Sequence, residues 1–369
     1  MHQKISYKQF CSFFIGVFSI FVIYHALVWS CMTSKFFDAS PYYIGDLGRM
    51  SYQVDLLFPR IEEHTLPKKH WEAIPHQSDP IDVITIGDSF SNGMGLGKNP
   101  YYQDYLATRW NVNVLNIQNL DDSFSYIDTI YYLKNHGWLS NHHPKAILIE
   151  SVEREVLHHI PSKQPVMTLT KKALDNRLVT KNFTTTFPTV TMVNTANYKA
   201  PYYTIGYHFS DHAQKEVYKL ELNQNFFTSK DRNHLLVYHD DLEYSDQFTV
   251  AAVHNLNTQL NTLADILQKE GIKLIFMPCV DKYDLYYNHV KNKQKYPQNR
   301  FFSLLRQEPK RYLFVDTKAL LTPLLKNRVQ DLYYADDTHW SYKASQVISN
   351  SSPFTFLKEI DTYETLPSR

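Results

Sequence analysis

Five short apolar runs, Ile81–Ile86, Val112–Ile117, Lys145–Glu150, Ile272–Met277 and Tyr312–Val315, alternate with amphipathic stretches at Tyr101–Trp110, Ser123–His136, Gln247–Glu270 and Gln298–Gln307. The runs are nearly continuous in apolar residues, which predicts strands buried on both faces. Their alternation with helices predicts a parallel sheet of the α/β class. A final helix is predicted after His339. From 155 to 245 the alternation gives way to Thr-, Tyr- and Asn-rich sequence, read as one insertion into a single domain because neither half alone supplies a closed set of strands.

Ahead of the first strand, Phe10–Met32 holds 23 residues without Asp, Glu, Lys or Arg, enough to cross about 30 Å of hydrocarbon as a helix. A cleaved signal usually has a shorter apolar core and small residues at the cut, whereas this run ends in Val28-Trp29-Ser30-Cys31. The expectation is an uncleaved, single-pass anchor at 10–32 in the inner (cytoplasmic) membrane. Lys4 and Lys8 keep residues 1–9 in the cytoplasm, so the rest lies in the periplasm or outside the cell. Residues 33–80, rich in Pro, His and charge, read as a stalk leading to a domain at 81–369. Within the span, His25 beside Tyr24 is expected to be a neutral side chain facing protein.

The 38 basic and 37 acidic residues leave a formal charge of +1, so no overall field recommends a nucleic acid partner. Cys11, Cys31 and Cys279 make no disulfide framework. Walker-type loops, His-Glu-x-x-His and Cys-x-x-Cys are absent from the sequence, and no cofactor or metal is called for. The Tyr202–Tyr207 and Tyr283–Tyr287 clusters are expected to pack in the core or the insertion, with stacking on sugar rings as the alternative.

Chemistry is suggested at the two ends of the domain. The first strand runs into Gly87-Asp88-Ser89-Phe90-Ser91-Asn92-Gly93, which puts Ser89 at the carboxyl edge of the sheet, where open parallel sheets bind ligands. Backbone N–H groups at the start of a following helix would cradle negative charge. Far along the chain stands Ala335-Asp336-Asp337-Thr338-His339-Trp340. A serine hydroxyl becomes a nucleophile when an imidazole takes its proton and a carboxylate orients that imidazole.

Gly87-Asp88-Ser89-Phe90 and Asp336-Asp337-Thr338-His339-Trp340 resemble the first and last motif blocks of the SGNH (GDSL-type) hydrolase superfamily. The Asp-Thr-His-Trp string, Glu150–Arg154 and Pro278–Lys282 are similar to the SGNH-like domains of alginate O-acetyltransferases and related polysaccharide-acetylating proteins. Those proteins often place the Ser motif after the Asp/His motif, the reverse of the order here. The resemblance implies a three-layer α/β/α, flavodoxin-like domain with Ser89 as nucleophile and His339 as base. Superfamily spacing, Asp-x-x-His, selects Asp336 as the acid, and the acetyltransferase-like Asp-x-His selects Asp337; both stay candidates. The usual oxyanion Gly and Gly-x-Asn are missing, which leaves Asn116, Asn119 and Arg154 as substitutes, against simpler roles as turn or ion-pair residues. The implied activity is transfer of an acyl group, acetyl first of all, to or from a cell-surface polysaccharide. The implied partners are that glycan and a membrane acyl-donor protein. A carbohydrate esterase, or a non-catalytic glycan-binding protein of the same fold, is the alternative.

Overall fold

The computed structural model describes residues 6–36, 44–58, 60, 64–74, 80–95, 97–164, 169–178 and 191–359. Five parallel strands form the central sheet: β1 (Val83–Ile86), β2 (Val114–Ile117), β3 (Ala146–Val152), β6 (Lys273–Cys279) and β7 (Leu313–Phe314). Their spatial order is β2-β1-β3-β6-β7. Register is set by Val83 opposite Val114 on one side and Ala146 on the other, then Ala146 opposite Lys273 and Ile275 opposite Leu313. Every residue of β1, β2 and β3 is buried, as expected of a sheet covered on both faces. The parallel α/β architecture anticipated from the alternating runs is therefore present, in the doubly wound flavodoxin-like strand order.

Helix Val250–Gln268 shows why the amphipathic stretches fold as they do. Thr249 caps it by accepting from the Ala252 N–H. Val253, Leu256, Leu260, Leu263 and Leu267 recur every three or four residues and are buried to 1% exposure or less, each contributing roughly 1.5–3 kcal/mol. Helix Tyr102–Trp110 packs on the C-terminal helix Tyr342–Ser349, where the Trp110 indole N–H donates to the Ser349 carbonyl at 2.8 Å.

The insertion between β3 and Val250 carries helices Lys171–Leu178 and Ala196–Gly206. It also holds an antiparallel hairpin of β4 (Val217–Glu221) and β5 (His234–Tyr238), with Val217 opposite Tyr238. The N-terminal helix runs from Tyr7 to Cys31, is strongly apolar and is almost wholly uncovered by the rest of the chain.

Much of the segment expected to be a stalk instead packs onto the domain. Helix Asp46–Ser51 and the turn Val54–Leu56 bury Leu47 and Leu56 completely. Trp71 bridges to the outer edge of β2, with its N–H on the Val114 carbonyl and its carbonyl accepting from Asn116, which covers an otherwise open strand edge. The apolar anchors here are single residues among polar ones, so no periodicity announces them. A Leu47→Ala substitution tests the packing: a buried leucine loses about 2–5 kcal/mol on truncation, and a stalk residue under about 0.5 kcal/mol. A fall of the urea midpoint of the purified protein in the larger range is expected.

Candidate active site

Ser89 sits just beyond the carboxyl end of β1, where the connections leaving β1 and its neighbour β3 run in opposite directions along the sheet, the usual place for a ligand crevice in this strand order. No helix begins there. Residues 88–95 form successive turns, with the Asn92 N–H donating to the Asp88 and Ser89 carbonyls and the Met94 N–H to Ser89. The helix expected to follow Ser89 starts only at Tyr102, because Gly93, at φ 70°, turns the chain in the left-handed region.

Two acids, Glu150 and Asp88, hold the turn. Glu150, at the end of β3, accepts from the Asp88 and Ser91 N–H groups at 3.1 and 3.2 Å and from the Ser91 hydroxyl at 2.7 Å. Its carboxyl is pushed well above the usual range by burial and by neighbouring Asp88. Gly87 leaves room for it, since a Cβ there would lie 2.3 Å from Glu150 Oε2. Asp88 accepts from the Val152 N–H at 2.6 Å. Burial raises the pKa of Asp88, but His159 and that bond outweigh it and hold the group at about 2.

The late motif folds back over this turn. His339 Nε2 lies 2.8 Å from Ser89 Oγ, and His339 Nδ1 lies 2.6 Å from Asp337 Oδ1. Asp337 is buried, yet His339 and Arg60 lower its pKa to about 2 against the burial penalty. It is therefore a carboxylate that only accepts, so Nδ1 carries the hydrogen and Nε2 is left to accept from the serine. Burial lowers the His339 pKa, but Asp337 outweighs it and the net displacement is upward. Phe90 packs on the imidazole with ring centroids 4.7 Å apart.

Of the two candidate acids, Asp337 is the one on the imidazole. Asp336 points the other way, accepting from the Gly45 N–H at 3.0 Å and from Arg60 Nη2 at 3.0 Å. Arg60 Nη2 also reaches Asp337 Oδ2 at 2.8 Å, so one guanidinium spans both carboxylates. Asp46 accepts from the Thr338 N–H and hydroxyl at 2.9 and 2.5 Å. Lys282 Nζ donates to the carbonyls of Tyr334, Ala335 and Asp337 at 2.8, 3.0 and 3.0 Å. Burial depresses its pKa to about 8 despite the nearby aspartates.

The proposed oxyanion substitutes are otherwise engaged. Asn116 is fully buried and directs its amide nitrogen to the Ser91 carbonyl and Asn92 Oδ1, at 3.0 and 3.4 Å. Asn119 lines the cavity beside Ser89 but donates to the Phe124 carbonyl at 2.7 Å and accepts from Thr129, holding its own turn. Arg154 pairs with Asp241 and Asp281 at 3.0 and 2.9 Å and lies over the Tyr238 ring, rather than with Glu150 or Glu153. A cavity residue that sequence reasoning missed is Asn92. Its Oδ1 accepts from Gln118 and Asn116, which turns its amide nitrogen toward the cavity it lines with Ser89. The signal was present in the Ser-x-x-Asn spacing, but only the fold shows Asn116 and Gln118 behind it.

That cavity has a volume of about 360 Å³, and its wall includes Gln118, Phe124, Tyr126, His158, His159 and Lys163. Asp46, Asp337 and His339 bring one ligand-type atom each within 4.8 Å. In this structure those groups serve one another, Thr338 and Arg60 instead.

Removing Arg60 leaves two buried carboxylates uncompensated. Breaking a buried pair in this way costs about 3–5 kcal/mol, so Arg60→Ala is expected to lower unfolding free energy by that amount in urea titration. An unchanged midpoint would show the carboxylates to be solvated without it.

Residues 235–350 match the model of a family described as the SGNH hydrolase-like domain of acetyltransferase AlgX; no curated protein matches the chain. The matched stretch contains Lys282, Asp337 and His339 but not Ser89. Over residues 235–350 the chain is thus similar to the family that the Pro278–Lys282 and Asp336–Trp340 motifs suggested.

Proposed function

We propose that this protein is a membrane-anchored serine acyltransferase that moves an acyl group, most simply acetyl, onto a cell-surface polysaccharide through an acyl-serine intermediate. The observation that carries the reading is the unbroken hydrogen-bond chain Ser89–His339–Asp337 at the carboxyl edge of the sheet. The family match supports acetyl as the group and polysaccharide as the acceptor class. The apolar helix Tyr7–Cys31 supports the tether.

In this mechanism the Ser89 hydroxyl gives its proton to His339 Nε2 as Oγ bonds to the acyl carbonyl carbon of the donor. The imidazolium is stabilised by Asp337 and returns the proton to the departing donor oxygen or sulfur as the carbonyl–donor bond breaks. A sugar hydroxyl then enters, loses its proton to His339 and attacks the acyl-serine, and Ser89 leaves with that proton. Ser89 N–H and the Asn92 amide would stabilise the oxyanion of both tetrahedral states. The aromatic and amide lining of the cavity, Phe124, Tyr126 and Gln118, suits a sugar ring, which offers an apolar face and hydroxyls around its edge.

Ser89→Ala is expected to abolish release of p-nitrophenol from p-nitrophenyl acetate, and equal rates for the two proteins would sink the nucleophile assignment. Supplying an oligosaccharide and looking for acetylated sugar by mass spectrometry separates transfer from hydrolysis. Asn92→Ala is expected to cost roughly 10²–10³ in kcat, the usual loss for one oxyanion donor, and a loss below tenfold would remove it from that role. Because His339 must be neutral to act as base and Asp337 raises its pKa, kcat/KM should climb with pH through a limb above 6.5, the ordinary His value. Asp337→Asn should lower that limb as well as the rate.

A further inference from the structure

The helix Ala196–Gly206 lies beside the outer end of the N-terminal helix and makes polar contacts with it. Asn197 is fully buried and carries most of them. Its carbonyl accepts from the Tyr24 hydroxyl at 2.8 Å, its amide nitrogen lies 2.7 Å from His25 Nδ1, and its Oδ1 accepts from Thr33 at 2.5 Å. The Tyr198 hydroxyl completes the set, 3.0 Å from His25 Nε2. His25 therefore faces protein, as its place in an apolar run required. It precedes the end of the helix at Cys31 by six residues, about 9 Å at 1.5 Å per residue. The contact thus falls within the last two turns of the apolar run.

A flank of the Ala196–Gly206 helix next to this contact is exposed. Tyr198, Tyr202 and Ile205 follow one another at four and three residues, the spacing of one helical face. Phe209 extends the stripe past the helix end. All four are exposed, Tyr202 by 71% and Phe209 by 87%, and Met192 and Val193 lead into them. From Thr191 to Ser210 there is no Asp, Glu or Arg and a single lysine, Lys199. Exposed apolar patches of this kind mark a partner or a membrane, and tyrosine is favoured where a bilayer meets water.

We propose that this helix is seated in the outer interface of the bilayer, with Tyr198, Tyr202, Ile205 and Phe209 against lipid, as a second membrane contact beside the N-terminal anchor. Lipid is the occupant because the patch belongs to an element already joined to the apolar helix near that helix's membrane exit, so a bilayer around one lies alongside the other. The seat also bears on the site. Tyr203 of the same helix packs on Tyr52, with centroids 6.1 Å apart. Tyr52 ends the helix whose Asp46 holds Thr338. The interface helix would thus set the height and tilt of the His339 loop above the membrane. This inference rests on the anchor reading.

The test uses the full chain, in a Cys11→Ser, Cys31→Ser background, reconstituted in vesicles of phosphatidylethanolamine and phosphatidylglycerol. Nitroxide labels are placed at Tyr202→Cys and Phe209→Cys. Ile15→Cys reports the anchor and Lys269→Cys the exposed domain surface. Power saturation with oxygen and with a nickel chelate reads lipid against water. The labels at 202 and 209 are expected to be several-fold less accessible to nickel than the one at 269 and to resemble the one at 15. Nickel-accessible labels at 202 and 209, with 15 still shielded, overturn the lipid seat, leave the anchor standing and reassign the stripe to a protein partner. Accessible labels at 15, 202 and 209 together overturn both.

Discussion

Asp336 and Asp337 are adjacent in the chain, both buried, and would repel one another were it not for Arg60, whose guanidinium reaches a carboxylate oxygen of each. Burying one charge without a partner costs several kcal/mol, and two like charges side by side cost more. The ion triad therefore decides how the loop around His339 can lie. With Asp336 tied to Gly45 and Arg60, the backbone turns so that Asp337 alone faces the imidazole. Lys282 reinforces the choice from the other side by gathering three carbonyls of the same loop onto one ammonium. The imidazole is thus aimed at Ser89 by groups that do not line the cavity beside it.

The serine is held by a different logic. Its turn contains no helix, so the alignment of Ser89 depends on Glu150 gathering two N–H groups and one hydroxyl beneath it, and on Asp88 anchoring to Val152. Both acids come from or bond to the end of β3, the strand next to β1. Ser89 and His339 are therefore referred to separate supports: the sheet for Ser89, and Asp46, Arg60 and Lys282 for the loop of His339.

The central sheet was legible because each strand is a run of apolar residues too short for a helix, and the helix Val250–Gln268 repeats its apolar residues at three and four positions, as in Val253–Leu267. Ser89 and His339 were legible as candidates because a nucleophile and its base need such side chains at a strand end and on a loop, whereas Asp336 and Asp337 were not separable until the fold set Asp337 on the imidazole. Arg60 was not. It stands in a stretch of prolines, histidines and charges that looks solvated, and its role appears only when the fold lays it across Asp336 and Asp337, more than 270 residues later in the chain. Asn116 looked like an oxyanion donor because it stands near the carboxyl end of the second strand. Its side chain instead points under the turn, where Thr85 and Ser91 satisfy it. Sequence position locates a residue at the edge of the sheet but does not say whether its side chain points into the crevice or beneath it.

Chain order poses one last question, because the resembling acetyltransferases often carry the serine after the Asp/His motif and this chain carries it before. A parallel sheet makes the difference immaterial. All five strands end at the same edge, so a loop after β1 and a loop after β7 meet above it whichever comes first, and the same nucleophile, base and acid recur on unrelated folds in several chain orders. What must be preserved is that the two loops rise over the same edge and are each braced. Here the first is braced by Glu150 at the end of β3. The second is braced by Lys282 just after β6 and by Arg60, drawn in from the segment before β1. The family match begins at residue 235 and so includes the brace of the second loop from β6, while Ser89, Glu150 and Arg60 lie outside it. The hydrogen bond from Ser89 to His339 is consequently a product of the whole domain rather than of the matched segment, and it depends on a brace from a region whose composition alone reads as a tether.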